Sequence, residues 1–131
     1  MIVITGASGY LGSHAVKRLV EMDKLVRVLV RSRQRAEQEG RLDGLNVDWV
    51  EGDVTRPDTL GPAMSGATAV VHTVAIAIEK GGRTYEEINY QGTVNVVEAA
   101  KAAGYSRAQF YRLMKKHGID RRKYRKPKDD N

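Results

Sequence analysis

The chain has 131 residues, of which 41% are hydrophobic and 29% are charged, and it contains no cysteine. These proportions indicate a single domain or a small domain with an appendage, and they exclude a disordered chain, a disulfide framework and a thiolate metal site. No metal site is predicted. No apolar stretch reaches the roughly 20 residues that cross a bilayer, and no basic leader opens the sequence, so we expect a soluble cytoplasmic protein.

The net charge of +6 is unevenly distributed along the chain. Residues 1–104 carry 12 Lys and Arg against 13 Asp and Glu, whereas the last 27 residues carry 10 against 3. A basic segment joined to a neutral body is typical of a nucleic-acid-binding or membrane-surface element. Because the basic tail lacks a bulky apolar face that could enter a membrane, nucleic acid is the favoured partner.

Strands and helices alternate through the neutral body. A β-branched run at residues 2–4 leads into a glycine-rich turn at 5–12 and then a helix. On that helix, apolar residues recur at helical spacing, namely Leu11, Ala15, Leu19 and Met22. Further strands are predicted at 25–30, 47–54 and 67–78, an exposed helix or loop at 32–42, and helices at 57–64 and 86–103. This order predicts an α/β domain, because neighbouring parallel strands need crossover connections.

The three glycines of the first turn have a mechanical interpretation. Gly6 allows a tight turn out of the strand, and Gly9 lets the backbone approach a pyrophosphate. Gly12 lets the helix pack closely on the sheet while its first amides face the phosphates. The position of the trio between a β-branched strand and an amphipathic helix is the context that such a phosphate-binding turn requires.

The sequence Thr-Gly-Ala-Ser-Gly-Tyr-Leu-Gly at residues 5–12 resembles the Thr-Gly-x-x-Gly-x-x-Gly of extended and atypical short-chain dehydrogenases/reductases, which include sugar-nucleotide epimerases. Residues 52–54, 70–75 and 89–100 also fit that family, in order. The resemblance implies a truncated, three-layer Rossmann-like domain with a four-stranded parallel sheet in the order 3-2-1-4. It further implies an NAD(P) site, with Asp53 and Val54 against adenine. The cofactor-binding residues would be Gly6, Ser8, Gly9, Tyr10, Leu11, Gly12, Arg31, Asp53, Val54, Val74, Ala75 and Ile76.

Residues at the end of two strands bear on the choice of cofactor and on catalysis. An NAD-selective site would place Asp or Glu after the second strand, where this chain has Arg31, so NADP is favoured over NAD. Arg33 and Arg35 could equally be solvated surface charges. We interpret His72 as a strand-end histidine satisfied by backbone groups and not as a catalytic base.

The catalytic region of the resembled family is expected to be missing. In that family a fifth strand delivers a catalytic Ser, and a Tyr-x-x-x-Lys pair follows some distance later, but residues 105–117 are not a β-branched run. Tyr111 and Lys115 satisfy the Tyr-x-x-x-Lys spacing, with Ser106 only shortly upstream. We interpret this match as a coincidence of a Tyr- and Lys-rich segment and expect no completed redox site, so that any bound dinucleotide could be vestigial.

The segment 99–119 predicts two helices around a three-residue turn. Gly104 ends the first helix, and Ser106 is a suitable N-cap for the second. The pattern resembles the C-terminal helix-turn-helix of the Fis family, which is shared with many sigma-54-dependent activators. That resemblance implies a DNA contact surface formed by Ser106, Arg107, Gln109, Tyr111 and Arg112. The alternative is a basic amphipathic helix that covers the open edge of the sheet.

The two resemblances overlap in the helix at residues 93–104, with no linker between them. We therefore expect a half-Rossmann domain at 1–104 and a helix-turn-helix with a basic tail at 93–131, and this junction suggests an engineered chimera. The first functional hypothesis is a non-catalytic dinucleotide-binding scaffold that also binds DNA. The second is the NADP-binding module of a short-chain reductase or epimerase whose basic helices only cap the sheet. A homodimer is favoured over a monomer, because the fourth strand would be an exposed edge.

Overall fold

A computed structural model describes residues 1–104 of the protein. The predicted helix-turn-helix, the basic tail and the candidate residues Ser106, Arg107, Gln109, Tyr111, Arg112 and Lys115 lie outside these described residues.

Four parallel strands form one sheet, and helical segments connect them. In chain order the elements are β1 (Ile2–Thr5), α1 (Tyr10–Glu21), β2 (Val26–Val30), α2 (Arg33–Glu39), β3 (Asp48–Glu51), a 3₁₀ turn (Pro57–Thr59), α3 (Gly61–Met64), β4 (Ala69–His72), a π-helical segment (Glu86–Gln91) and α4 (Gly92–Ala102). The sheet order is β3-β2-β1-β4. The predicted fold class and strand order are confirmed.

Two hydrophobic clusters cover the two faces of the sheet, because successive side chains of a strand point to opposite faces. Ile4 and Val28 are fully buried in one cluster, together with Val16 of α1. Val3 lies in the other cluster with Leu60 and other apolar residues that include Met64 of α3 and Val96 of α4. Burial of a Val or Leu side chain stabilises a fold by about 1.5–3 kcal/mol, so both layers of helices hold the central strands in place.

The short helix α2 begins and ends at residues with the expected chemistry. The Ser32 hydroxyl accepts a hydrogen bond from the Arg35 amide at 3.3 Å, and Gly40 ends the helix with a φ of 70°. A left-handed conformation at this position favours glycine. Ala36 within α2 and Leu42 in the turn beyond it are both buried, so residues 33–39 form a helix with one buried face and not a loop.

The predicted apolar stripe of α1 is only partly correct, because Leu19 packs against the cluster that contains Ile4 and Val28 but the two ends of the stripe do not. The side chains of Leu11 and Met22 are 68% and 48% exposed, whereas Gly12, Ser13 and Val16 face the sheet. The apolar spacing alone favoured a stripe through Leu11. The packing of Gly12 against the turn that precedes the helix instead determines which side of α1 is buried.

The fourth strand and the following helix also differ from prediction. β4 ends at His72, and residues 73–78 leave the sheet although they continue the apolar run. The predicted helix at 86–103 starts with a π-helical segment before α4. β4 lies at the edge of the sheet, and Val71 is 37% exposed, so its apolar residues do not indicate burial on both faces. The helix ends as predicted, with Gly104 in the left-handed region at a φ of 103°.

In the described part of the chain, no helix is long and apolar enough to cross a membrane.

Candidate functional site

A cleft of about 520 Å³ opens where the four strands end. Its walls come from the turn after β1, the ends of β2 and β3 and the segment after β4. The lining residues are Gly6, Ser8, Gly9, Leu29, Val30, Arg31, Gly52, Asp53, Val54, Thr55, Thr73, Val74, Ala75, Ile76, Arg83, Glu87 and Ile88. A volume of this size is in the range of small-molecule and cofactor sites, and the carboxyl edge of a parallel sheet is where α/β proteins bind ligands.

The glycine turn leaves no room for side chains at two of its three positions. A Cβ atom at Gly12 would lie 2.0 Å from the carbonyl oxygen of Gly6, so the first turn of α1 packs directly on the turn backbone. Gly6 has a φ of 65°, and a Cβ there would lie 2.7 Å from Thr73 Oγ1. The close packing that the sequence assigned to Gly12 is therefore present in the structure.

The N-terminus of α1 faces the same turn. Gly9 is its N-cap residue and makes no side-chain capping bond, and the Gly9 amide donates to the Gly6 carbonyl oxygen at 3.0 Å. The first amides of a helix have no partner within the helix, and a glycine N-cap puts no side chain over them. This arrangement suits a phosphate group, which binds to exposed amides at a positive helix end.

Nine of the twelve predicted cofactor-binding residues line the cleft, and three do not. Gly12 is buried beneath the turn, while Tyr10 and Leu11 are 76% and 68% exposed. The ring of Tyr10 lies edge-on to His14, with 4.8 Å between the ring centroids. These two side chains extend into solvent from the start of α1, because the helix turns its Gly12 face towards the sheet.

The β3 side of the cleft comprises Arg31, Asp53 and Val54. Asp53 Oδ1 accepts hydrogen bonds from the amide and the hydroxyl of Thr55, at 2.9 and 2.8 Å. The buried Asn95 side chain of α4 donates to the Val54 carbonyl oxygen at 2.8 Å. A carboxylate and an apolar side chain are therefore held in fixed positions on this wall.

The arginines that follow β2 differ in their contacts. Arg31 lines the cleft and makes no ion pair within residues 1–104. Arg33 instead pairs with Glu37 at 2.9 Å and lies over the Trp49 ring, so the structure directs this side chain away from a ligand role. Arg41 donates from Nη1 to the Ser8 carbonyl oxygen at 2.9 Å. Sequence reasoning missed Arg41, because nothing in the pattern relates residues 33 positions apart.

The β4 side of the cleft comprises Thr73, Val74, Ala75 and Ile76. Thr73 Oγ1 donates to the Thr5 carbonyl oxygen at 2.7 Å. The Asn89 amide group accepts from the Ile76 N–H at 2.8 Å and donates to the Ile76 carbonyl oxygen at 3.0 Å. The side chains of Thr73, just after β4, and of Asn89 in the π-helical segment thus hold the backbone where the chain leaves the sheet.

His72 lies directly behind this wall. Its Nδ1 is 2.6 Å from Thr5 Oγ1, and its Nε2 is 3.0 Å from Thr93 Oγ1. Burial lowers the pKa of His72 below its ordinary value of 6.5. The interpretation of His72 as a satisfied histidine agrees with these contacts, but its partners are two side-chain hydroxyls and not backbone groups.

Sequence reasoning also missed residues on the outer rim of the cleft. Arg83, Glu87 and Ile88 line it, from the turn that follows β4 and from the π-helical segment. Gly81 and Gly82 have φ values of 62° and 76°, and they form a tight hairpin that brings Arg83 to the rim. The Gly-Gly pair could have indicated this turn. Among residues 1–104, no group of three or more His, Cys, Asp and Glu could hold a metal ion.

The parallel sheet, the glycine turn against a helix N-terminus and the cleft across the strand ends define a dinucleotide-binding protein of the short-chain dehydrogenase/reductase class. Residues 3–112 match the 3-beta hydroxysteroid dehydrogenase/isomerase family, and the chain belongs to this family. The family is NAD(P)-dependent, which confirms the predicted class of cofactor.

Three similar proteins illustrate the relationship. The human 3 beta-hydroxysteroid dehydrogenase type 7 is 32% identical over 109 residues, which cover 78% of this chain and 29% of that protein. The ceramide reductase of Caulobacter vibrioides is 34% identical over 104 residues, covering 79% of this chain and 32% of the relative. A uronate dehydrogenase structure from Agrobacterium tumefaciens with NAD has a TM-score of 0.61 and 29% identity, covering 77% of this chain and 36% of that one.

The chain spans about 30% of the length of the curated relatives it matches. The family match continues to residue 112 and so includes all five residues that were predicted to contact DNA. These similarities give no support to the Fis-type helix-turn-helix, to DNA binding, to a homodimer or to a chimeric origin. They favour the second functional hypothesis, a cofactor-binding module of a reductase, over the first.

Proposed function

We propose that residues 1–104 form the NAD(P)-binding part of a short-chain reductase or dehydrogenase that acts on a hydroxyl or carbonyl group. The observation that carries this proposal is the glycine turn, in which Gly12 has no space for a Cβ and the uncapped start of α1 opens into the cleft. The residues fit a dinucleotide, because amides, a carboxylate and apolar side chains line one continuous cleft. When bound, the cofactor supplies hydride transfer.

Each part of the cleft has a binding role in this proposal. The free amides of the first turn of α1, beside Ser8 and Gly9, bind the pyrophosphate. Asp53 and Val54 contact the adenine, and Val74, Ala75 and Ile76 lie along the nicotinamide and its ribose. Tyr10, Leu11 and Gly12 act through their backbone, since two of the side chains extend into solvent and the third position has none.

We further propose that the cofactor is NADP in preference to NAD. Arg31 lines the cleft without an ion-pair partner among residues 1–104, and Arg41 is held at the Ser8 carbonyl oxygen. A ribose 2′-phosphate beside two guanidinium groups would gain charge-assisted hydrogen bonds, whereas the ribose hydroxyls of NAD would gain little from them.

The test is a titration of the full chain with NADP⁺ and NAD⁺, followed by thermal unfolding. A ligand at 100 times its dissociation constant adds roughly 2.7 kcal/mol to the free energy of unfolding. Ser8→Glu places a negative charge in the glycine turn and should abolish the rise in melting temperature that the cofactor causes. Ser65→Glu introduces the same charge at an exposed site outside the cleft and should leave the shift unchanged. The proposal would be contradicted if the cofactor left the melting temperature of the wild type unchanged, or if it raised that of Ser8→Glu equally.

The basic segment at 105–131 supports a second candidate function, which is DNA binding. Its support is the excess of 10 Lys and Arg over 3 Asp and Glu after residue 104. In this proposal Arg107 reads base edges, while Ser106, Gln109, Tyr111 and Arg112 contact the backbone. Binding that weakens steeply with salt, with a loss of about 1–3 kcal/mol in Arg107→Ala on a specific site, would support it. The catalytic role of Tyr111 and Lys115, and a homodimer, stay predictions.

A further inference from the structure

A chain of hydrogen bonds runs behind the β4 side of the cleft, and His72 is its central member. Thr5 Oγ1 lies 2.6 Å from His72 Nδ1, and His72 Nε2 lies 3.0 Å from Thr93 Oγ1. The Thr93 hydroxyl donates to the Asn89 carbonyl oxygen at 2.6 Å. Thr5 and His72 are register partners on neighbouring strands, so the sheet itself places the first two groups side by side.

Both ends of this chain reach residues that line the cleft. At one end, Thr73 donates from its amide to Thr5 Oγ1 at 3.2 Å and from its hydroxyl to the Thr5 carbonyl oxygen at 2.7 Å. At the other end, the Asn89 amide group makes both backbone hydrogen bonds of Ile76, at 2.8 and 3.0 Å. His72 does not itself line the cleft, but its hydrogen bonds connect the contacts that hold Thr73 with those that hold Ile76 on the β4 side.

The donors and acceptors in this chain of hydrogen bonds are consistent with one protonation state of the His72 imidazole. Because the Thr93 hydroxyl donates to Asn89, its oxygen can accept a hydrogen bond from His72 Nε2–H. Nδ1 then accepts from the Thr5 hydroxyl, whose oxygen accepts from the Thr73 amide. Every group is satisfied when His72 is neutral with its proton on Nε2. The lowered pKa of the partly buried ring agrees with this arrangement.

We infer that His72 is a positioning residue that, through Thr5 and Thr93, holds Thr73 and Ile76 in the geometry that receives the nicotinamide half of the dinucleotide. The inference rests on the proposed function. Its physical basis is that β4 ends at His72 and the Thr73 amide still bonds to the Thr5 carbonyl oxygen at 3.3 Å, whereas both backbone groups of Ile76 bond to the Asn89 side chain. None of these hydrogen bonds involves Arg31, Asp53 or Val54 on the β3 side, although the Thr73 hydroxyl also lies 3.4 Å from the Gly6 carbonyl oxygen of the glycine turn.

The test compares two ligands on the full chain. NADP⁺ requires both sides of the cleft, whereas adenosine 2′,5′-bisphosphate requires only the β3 side and the glycine turn. Thr93→Val keeps the shape of the side chain and removes its hydroxyl, so it should weaken NADP⁺ binding about tenfold, while binding of adenosine 2′,5′-bisphosphate changes less than about twofold. Thr93→Ser keeps the hydroxyl and should restore NADP⁺ affinity to within about threefold of the wild type.

Two further variants sharpen the test. His72→Gln keeps a donor for Thr93 and loses the Nδ1 acceptor, so NADP⁺ binding should weaken less than with His72→Phe, which loses both. Thr68→Val removes a surface hydroxyl that bonds only to the chain terminus and should change neither ligand. The fluorescence of NADPH on binding reports the nicotinamide environment directly, and its change should be reduced in Thr93→Val and retained in Thr93→Ser.

The outcomes separate the inference from the proposed function. Equal weakening of both ligands in Thr93→Val would show a general loss of structure and would overturn the positioning role. Unchanged NADP⁺ affinity in His72→Phe, or no recovery in Thr93→Ser, would overturn it as well, with the proposed function intact. A wild-type chain that binds neither ligand would overturn the proposed function and, with it, the inference.

Discussion

On the β3 side of the cleft, Asp53 and Val54 follow soon after β3, and one buried amide from Asn95 holds the Val54 carbonyl oxygen. On the β4 side, residues 73–76 have left the sheet, and a chain of hydroxyl, imidazole and amide groups holds them. The first side depends on short connections over an apolar core, and the second depends on polar side chains that must all be paired. Removal of one member of such a chain of hydrogen bonds breaks more than one contact, because each of its partners is left unpaired at a partly buried position.

The glycine turn is shared by both sides, so the largest effect is expected there. Gly12→Ala should destabilise the fold by roughly 3 kcal/mol, since its Cβ would lie 2.0 Å from the Gly6 carbonyl oxygen and would push α1 away from the turn. Urea denaturation gives the free energy of unfolding. Gly61→Ala is the matched control: no atom lies within 4 Å of its Cβ, and the change should stay within about 1 kcal/mol. Equal effects at the two glycines would contradict the packing role of Gly12.

The β3 side can be broken separately through its buried amide. Asn95→Leu should destabilise the chain by about 1–3 kcal/mol, because the Val54 carbonyl oxygen loses its hydrogen bond in a buried position. The same unfolding measurement checks it. Asn46 is exposed, and Asn46→Leu should cost less than about 0.5 kcal/mol. A cost for Asn95→Leu no greater than for Asn46→Leu would show that water or another group replaces the amide.

The charge on the β3 side is expected to select between cofactors. Arg31→Gln should weaken NADP⁺ binding about tenfold, or 1.4 kcal/mol, and leave NAD⁺ binding nearly unchanged, because only NADP⁺ carries the 2′-phosphate. Arg41→Gln should act in the same direction. Isothermal titration calorimetry measures both affinities. Arg56→Gln changes an exposed arginine that pairs with Asp58 and should alter neither. If Arg31→Gln weakened NADP⁺ and NAD⁺ binding equally, Arg31 would attract both cofactors electrostatically and would not select between them.

The smallest expected effect is a pH dependence of stability that arises on the β4 side. Because burial lowers the pKa of His72 below 6.5, the unfolded chain binds a proton more readily than the folded chain. The stabilising contribution is complete above pH 6.5 and declines as the pH falls from 6.5 towards the folded pKa. Unfolding free energies at pH 7.5 and pH 5.5 should therefore differ more in the wild type than in His72→Gln. An identical pH dependence in the two proteins would argue against a buried neutral imidazole.

Much of the β3 side and the glycine turn could be predicted from the sequence, because their residues follow directly after short β-branched runs. Gly6, Gly9, Arg31 and Asp53 were all expected in the cleft, and they line it. The phase of α1 could not be predicted from apolar spacing, since Leu11 is exposed and the buried face is set by a glycine contact.

The hydrogen-bonded groups behind the β4 side could not be predicted from the sequence, for a different reason. Thr5, His72 and Thr93 are each unremarkable polar residues in a strand or helix, and the first and last are 88 positions apart. No short-range pattern distinguishes them from surface threonines. The contact of Arg41 could not be predicted for the same reason, because its partner, the Ser8 carbonyl oxygen, lies in a distant part of the sequence.

The sequence by itself determined the class of fold and the position of the phosphate-binding turn, because these follow from local runs of β-branched and glycine residues. The order of the strands was implied by the family resemblance that those residues carry. Only the tertiary structure decided which face of α1 is buried, which arginines reach the cleft and how His72 connects β1 to α4. Those features depend on contacts between groups that are distant in the chain, and such contacts exist only after the sheet has brought the strand ends together.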